Sequence, residues 1–387
     1  LFGELPVQQY LFLVIAVGDD YGGLEHRDST SLICKRDDLP VDEGRQPSDG
    51  YRQFLGLCSH EYFHLWNVKR IQPLKLKESL LAQEAYTSLL WAFEGITSYY
   101  DDLALLRSGI ISLESWLELL TRTITRVMRS KGRHRQSVAD SSFDTWTKFY
   151  KQDENSSNAI VSYYAKGALI AFGLDMTLRK CSEGRISLDD LMRLLWQRHG
   201  KAGVGVGEDE IQQLAEELLQ EPLSVFFDSY VYGVEELPLE NWFAEIGIGY
   251  QLRAAKKLSD TGKVYNARPE HCPAIAVLGG RTAEHLAGAS LLSVTKGAAA
   301  QQCGLIAGDT IIAVDGLKVM HDSIDQRIAR LRADKATTIH AFRRDELMEF
   351  YFTPQLAESD TCDLWIKHAS KRLPDQQRRL KWLAQSE

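Results

Sequence analysis

At 387 residues the chain is too long for one ordinary domain, so two or three are expected, and its 44% hydrophobic content can fill real cores. The formal net charge of -8 lacks the basic face that phosphate binding requires, which argues against nucleic acid as a partner. Cysteines 34, 58, 181, 272, 303 and 362 are scattered with no C-x-x-C pair, and read as reduced or buried thiols, which leans towards an intracellular protein. The longest pure apolar run, Leu11 to Val17, is too short to span a bilayer. The sequence starts at Leu1 and enters a strand pattern within ten residues, so a missing N-terminal piece, with any targeting segment, is expected; a periplasmic location therefore stays open.

Tyr10 to Val17 is a continuous β-branched and aromatic run, read as a buried strand. Gly22-Gly23 precedes a second strand, Leu24 to Cys34, at a point where glycine lets another backbone approach. Residues 35–50 read as a loop. From 51 to 238 the pattern is helical. It begins with a helix through His60 that is expected to run on to Gln72, since no Gly or Pro falls between Leu57 and Pro73. Leu80, Leu81, Tyr86, Leu89, Leu90 and Phe93 have helical spacing, and Leu103 to Met128 is helical with a break at Gly109 and a new cap at Ser112. Residues 130–158 are polar and read as a long loop, followed by an apolar helix over Ile160 to Leu178 and a capped one after Ser187. Gly203 to Gly207 reads as a connector, because no strand precedes it and no Gly-Lys-Ser/Thr follows. Residues 239–268 read as a bridge. In 269–355, a short helix, a Gly-Asp turn, a strand and an Asp315-Gly316 hairpin follow in order. The tail, 356–387, is basic and helical at its end, with Lys367, Lys371, Arg372, Arg378 and Arg379 read as a solvated face.

The chemistry centres on His60-Glu61-Tyr62-Phe63-His64, an H-E-x-x-H match. Residues four apart share a helix face, so both imidazoles can meet one zinc ion, with Glu61 beside a water on it. The alternative is a pair of core histidines. A catalytic zinc needs a third ligand, and Glu94 is the candidate, an acid in the apolar and aromatic setting W-A-F-E-G-I-T-S-Y-Y. Asp101 and Asp102 are candidates for orienting a ligating histidine, or belong to a solvated helix face.

The stretches H-E-Y-F-H-L-W-N-V-K-R-I-Q-P (60–73), W-A-F-E-G-I-T-S-Y-Y-D-D-L (91–103), G-G-L-E-H-R-D-S-T (22–30) and F-F-D-S-Y-V-Y-G-V-E-E-L-P (226–238) together resemble the glycyl aminopeptidases, family sixty-one of the metallopeptidases, which are gluzincins. The block around 298–316 resembles a PDZ domain. The resemblance implies an α+β chain: the end of a β-rich part with an exopeptidase-type strand (1–50), a mainly helical, thermolysin-like zinc-peptidase domain (51–238), the bridge (239–268), a small β-rich PDZ-like domain (269–355) and the tail. It also implies that an N-terminal β-domain is missing. Against the related aminopeptidase N family, the 29 residues between His64 and Glu94 form a longer spacer, which fits the glycyl family.

By resemblance, one zinc ion per chain is held by His60, His64 and Glu94, and Glu61 is the general base. Tyr164 in Y-A-K-G looks like the tyrosine that faces the oxyanion, with Tyr163 and core packing as open alternatives. Gly22, Gly23 and Glu25 resemble the exopeptidase motif whose glutamate holds the substrate's α-ammonium, although Leu24 and His26 depart from it. The expected partners are peptide substrates, with a preference for small N-terminal residues such as Gly or Ala, and a C-terminal peptide for the PDZ-like part, whose carboxylate loop would be Ala276-Val277-Leu278-Gly279. A zinc endopeptidase and a non-catalytic peptide-binding module are the alternatives.

Overall fold

The computed structural model describes residues 1–40, 47–80, 82–257, 259–270, 273–367 and 373–383; Leu81, Cys272, Lys371 and Arg372 lie outside them. β1 (Leu11–Val17), β2 (Gly22–Glu25) and β3 (Ser29–Lys35) form a sheet in the order β1-β3-β2, with β3 parallel to β1 and antiparallel to β2. The single strand expected from Leu24 to Cys34 is thus a hairpin, closed where the His26 amide donates to the Ser29 carbonyl at 2.8 Å. β1 was expected to be buried and is not: it is an edge strand, and Ile15 is 61% exposed. An apolar run reports a capacity for burial, not a covering partner.

Leu32 and Cys34 of β3 pack on Phe54 and Leu57 of α1 (Asp49–Phe63), which Ser48 caps by accepting from the Tyr51 amide. The expected continuation of α1 to Gln72 does not occur. The helix ends at His64, and Val68 takes a φ of 129°. The cause is tertiary: the Asn67 amide is held by the carbonyls of Ala92 and Phe93 and by the Thr97 hydroxyl, which turns the chain out of the helix.

After α2 (Leu74–Lys77) the expected helix through Leu80 and Tyr86 is replaced by irregular chain. Helix resumes as a π-turn over Trp91–Gly95 that leads into α3 (Ile96–Arg107), then α4 (Leu113–Arg129) after its Ser112 cap. The polar stretch read as a loop contains α5 (Val138–Phe143), a π-turn Thr145–Phe149 and α6 (Ser156–Ala159). α7 (Ala165–Cys181) is the central helix, buried along most of its length. α8 (Leu188–Leu195), α9 (Glu210–Leu219), α10 (Ser224–Tyr230) and α11 (Leu239–Glu245) complete the helical body, and Asp190 closes the expected capping box on Ser187.

The bridge region contributes β4 (Ile248–Ala254) and β5 (Lys263–Tyr265). A second unit follows, with its own core around Leu291, Ile311, Ile328 and Phe352. It comprises β6 (Ala276–Val277), β7 (Gly280–His285), β8 (Gly288–Val294), α12 (Ala299–Gln302), β9 (Thr310–Val314), β10 (Leu317–Lys318), α13 (Ile324–Ala329), β11 (Thr337–Arg343), β12 (Glu346–Phe352) and β13 (Gln355–Leu356). Its main sheet runs β12-β11-β9-β8-β7. Asp315 (φ 55°) and Gly316 (φ 70°) make the left-handed two-residue turn that the Asp-Gly pair predicts. The chain then returns as β14 (Ser359–Ile366), which lies between β4 and β5, and ends in α14 (Leu373–Leu383). The bridge and the tail are therefore parts of one sheet packed on the helical body. Trp382 is fully buried and donates to the Tyr99 hydroxyl at 3.0 Å.

Candidate metal centre

One helical turn of α1 separates His60 from His64, and their rings lie 4.7 Å apart. The π-turn before α3 delivers Glu94 to them: its Oε2 is 3.2 Å from His60 Nε2 and 3.3 Å from His64 Nε2. The other nitrogen of each ring is already engaged. His60 Nδ1 is 3.0 Å from Asp101 Oδ2, and His64 Nδ1 is 2.7 Å from the Asn67 carbonyl. A carbonyl only accepts, so His64 Nδ1 carries the proton and Nε2 of a neutral ring presents a lone pair. Two such nitrogens and a carboxylate oxygen, all acceptors, repel one another unless a positive charge lies among them. A tetrahedral metal with bonds of about 2.0–2.1 Å sets its ligands about 3.3 Å apart. The observed spacings and the N, N, O donor set fit such an ion. A proton competes with such an ion for the same acceptors: burial alone would lower the affinity of His60 for one, but Asp101 and Glu94 outweigh it and push its pKa up to about 10. Burial would raise the Glu94 carboxyl, yet His64 and His60 hold it well below the usual carboxylate range.

Glu61 lies beside this trio, 5% exposed, and its Oε2 has no hydrogen-bond partner. Burial raises its pKa, with His64 and His60 opposing. Gly23 explains how β2 comes so close: a Cβ there would stand 2.3 Å from Glu61 Oε1. The close approach expected at Gly22-Gly23 is thus, at Gly23, an approach to the Glu61 side chain. Glu25, at the end of β2, has a carboxylate oxygen within 4.8 Å of ligand atoms of Glu61 and His64, and pairs with Lys69 at 3.0 Å. Among the described residues β2 pairs with β3 alone, and its other edge carries no strand.

Gly95 and Gly167 set the position of Tyr164. A Cβ on Gly95 would stand 2.6 Å from the Gly167 backbone, so α7 packs directly on the turn that carries Glu94. The Tyr164 ring centroid is 6.4 Å from that of His60, and burial followed by the Glu94 charge drives its pKa far up, so the phenol keeps its proton. Tyr163 is 1% exposed and accepts from the Thr145 hydroxyl at 2.8 Å, inside the core.

Comparison with known proteins follows the same two units. The M61 glycyl aminopeptidase family matches residues 53–170, and a PDZ domain matches residues 291–340. The crystal structure of an aminopeptidase N family protein from Idiomarina loihiensis is 39% identical over 99% of this chain, with a TM-score of 0.88. The match to the M61 glycyl aminopeptidase family thus lies in the helical part of the chain, and the likeness to the Idiomarina protein extends over nearly all of it. It spans 64% of the length of the Idiomarina protein. The PDZ domain of HtrA3 bound to a phage-derived ligand matches 21% of this chain and 86% of its own at 17% identity and a TM-score of 0.20. A serine endoprotease from Yersinia pestis matches 22% of this chain and 30% of its own at 16% identity and a TM-score of 0.20. No curated protein matches the chain significantly.

Several residues that shape the site escape a reading of sequence alone. Asn67 contributes only its carbonyl to His64, and backbone groups leave no signature in residue type. The Tyr10 hydroxyl donates to the Glu61 carbonyl at 3.0 Å across the β-sheet–helix contact. Tyr150, at the end of the π-turn from Thr145, brings its hydroxyl to 3.4 Å from that of Tyr164. Asp101, open between two roles, is placed on His60, whereas Asp102 is half-buried, and desolvation and then the Asp101 charge raise its carboxyl well above the usual range. No helix among the described residues is long and apolar enough to cross a membrane.

Proposed function

We propose that the chain is a zinc-dependent aminopeptidase that removes small residues such as Gly or Ala from peptide N-termini. The observation that carries this reading is the convergence of His60 Nε2, His64 Nε2 and Glu94 Oε2 beside the unpartnered Glu61 Oε2. The family and the neighbouring aminopeptidase structure support a peptidase.

Zinc held by His60, His64 and Glu94 would lower the pKa of water to about 7 and polarise the scissile carbonyl. Asp101 and the Asn67 carbonyl keep the two imidazoles oriented with their Nε2 atoms inward. Glu61 takes the proton of the attacking water and passes it to the leaving amine, a task that its raised proton affinity suits. Tyr164, which stays protonated, donates to the carbonyl oxygen as negative charge builds there. The open edge of β2 at Gly22 and Gly23 pairs with the extended substrate, and Glu25 holds its α-ammonium, which places the scissile bond one residue in.

A second reading, a zinc endopeptidase, is favoured by one observation: Glu25 is already paired with Lys69. Free and N-acetylated peptides separate the two. The aminopeptidase cleaves only the free amine, loses activity to a chelator and regains it with zinc; equal cleavage of both peptides contradicts it. In the PDZ unit, β7 is an edge strand that directly follows Ala276-Val277-Leu278-Gly279, which supports docking of a peptide C-terminus there.

A further inference from the structure

We infer that Lys69 is an internal stand-in for the substrate's α-ammonium and sets how tightly, and with what salt dependence, a free N-terminus binds. This rests on the reading of Glu25 as the amine anchor. Lys69 Nζ is 3.0 Å from Glu25 Oε1, with the two side chains 28% and 21% exposed. The pair therefore lies at the rim of the site, next to Glu61 and His64, rather than free in solvent. Its geometry is imposed by the backbone. Val68, a β-branched residue, sits at φ 129°, a conformation that persists only where the surroundings fix it. Those surroundings are specific: the Asn67 side chain is held by Ala92, Phe93 and Thr97, the Lys69 amide donates to the His64 carbonyl at 3.0 Å, and the Lys69 carbonyl accepts from Arg27 at 3.5 Å. The strained turn and its anchors aim one ammonium at one carboxylate.

A peptide's α-ammonium that reaches Glu25 meets a carboxylate already carrying a cation, and the two ammonium groups repel. The entering group replaces Lys69, one positive charge for another. The charge of the site does not change, so binding of a free N-terminus depends only weakly on ionic strength. Lys69 thus keeps the amine site neutral between turnovers, and only a cation that fits better than a tethered lysine displaces it.

The test uses the full chain with Glu61→Gln to prevent hydrolysis, and calorimetry with glycyl-glycyl-glycine amide and its N-acetyl form. Lys69→Met should tighten binding of the free-amine peptide by about five-fold or more at low salt. That gain should shrink between about 0.05 and 0.5 M salt, while the acetylated peptide changes less than about two-fold. Lys69→Gln, which keeps a polar side chain, should shift binding in the same direction. Unchanged or weaker binding of the free-amine peptide, or equal changes for both peptides, overturns the role of Lys69. Glu25→Gln separates the layers. If it weakens free-amine binding while Lys69→Met does not tighten it, only the stand-in fails. If Glu25→Gln leaves the free-amine peptide unaffected, the anchor reading fails as well.

Discussion

The Glu61 carboxylate oxygen that no protein group satisfies is costly to bury, and such an atom persists where it has a task. Glu61→Gln keeps the shape and removes the base, so hydrolysis should fall by about 10²–10⁴-fold with one zinc per chain retained. Tyr164→Phe should lower kcat by about 10²-fold with little change in KM, because the phenol acts on charge that exists only in the transition state. Steady-state kinetics beside metal analysis checks both; full activity in the Gln variant, or an unchanged kcat in the Phe variant, removes that residue from the mechanism. The convergence of His60, His64 and Glu94 was legible because residue type and helical period alone brought two of them together, and an apolar setting marked the third. The Tyr163–Tyr164 ambiguity was not legible, since adjacent residues at a helix start differ only in what surrounds them. Lys69 was equally hidden: its partner lies on a strand 44 residues earlier in the chain.

At the scale of elements, glycine decides the geometry. The Gly95–Gly167 contact lets α7 meet the turn bearing Glu94, and through it Tyr164 meets His60. Gly95→Ala should force these segments apart, lowering stability by about 1–3 kcal/mol and turnover by more than the stability loss explains. Thermal unfolding and kinetics on the same sample test this; a stable, fully active variant would show that the contact does not position Tyr164. The helices with caps and clear periods, such as α4 after Ser112 and α8 after Ser187, were readable in advance. The end of α1 was not, because the Asn67 contacts that stop it come from the chain around Ala92. The exposure of β1 was missed for a related reason: hydrophobicity says nothing about which neighbour is present.

Across the whole molecule, the PDZ unit is inserted between β5 and β14, so the strands on either side of it close one sheet on the helical body. Sequence order had suggested a bridge and a tail, since the pairing of β4 with β14 spans more than a hundred residues. Arg253 fastens this sheet, bonded to Asp363 at 2.8 Å and to Asp260 at 2.6 Å. Burial would raise the Asp260 carboxyl, but Arg253 and the amides of Lys256 and Gly262 draw its pKa down to about 2. A depressed carboxyl stabilises the fold fully above its unfolded value of about 3.9, and loses that contribution as pH falls towards 2. Asp260→Asn should therefore cost about 1.5–3 kcal/mol at pH 7, with the gap from the native protein narrowing below about pH 4. Denaturant titrations at several pH values measure it; a gap independent of pH contradicts the assignment. The central claim is that His60, His64 and Glu94 share one zinc ion, and an anomalous-scattering map collected on both sides of the zinc edge tests it most directly. A single peak at about 2.0–2.2 Å from both Nε2 atoms and a Glu94 oxygen is the expected result. A zinc-supplied crystal with no peak there, or with Glu94 turned away from the imidazoles, would contradict it.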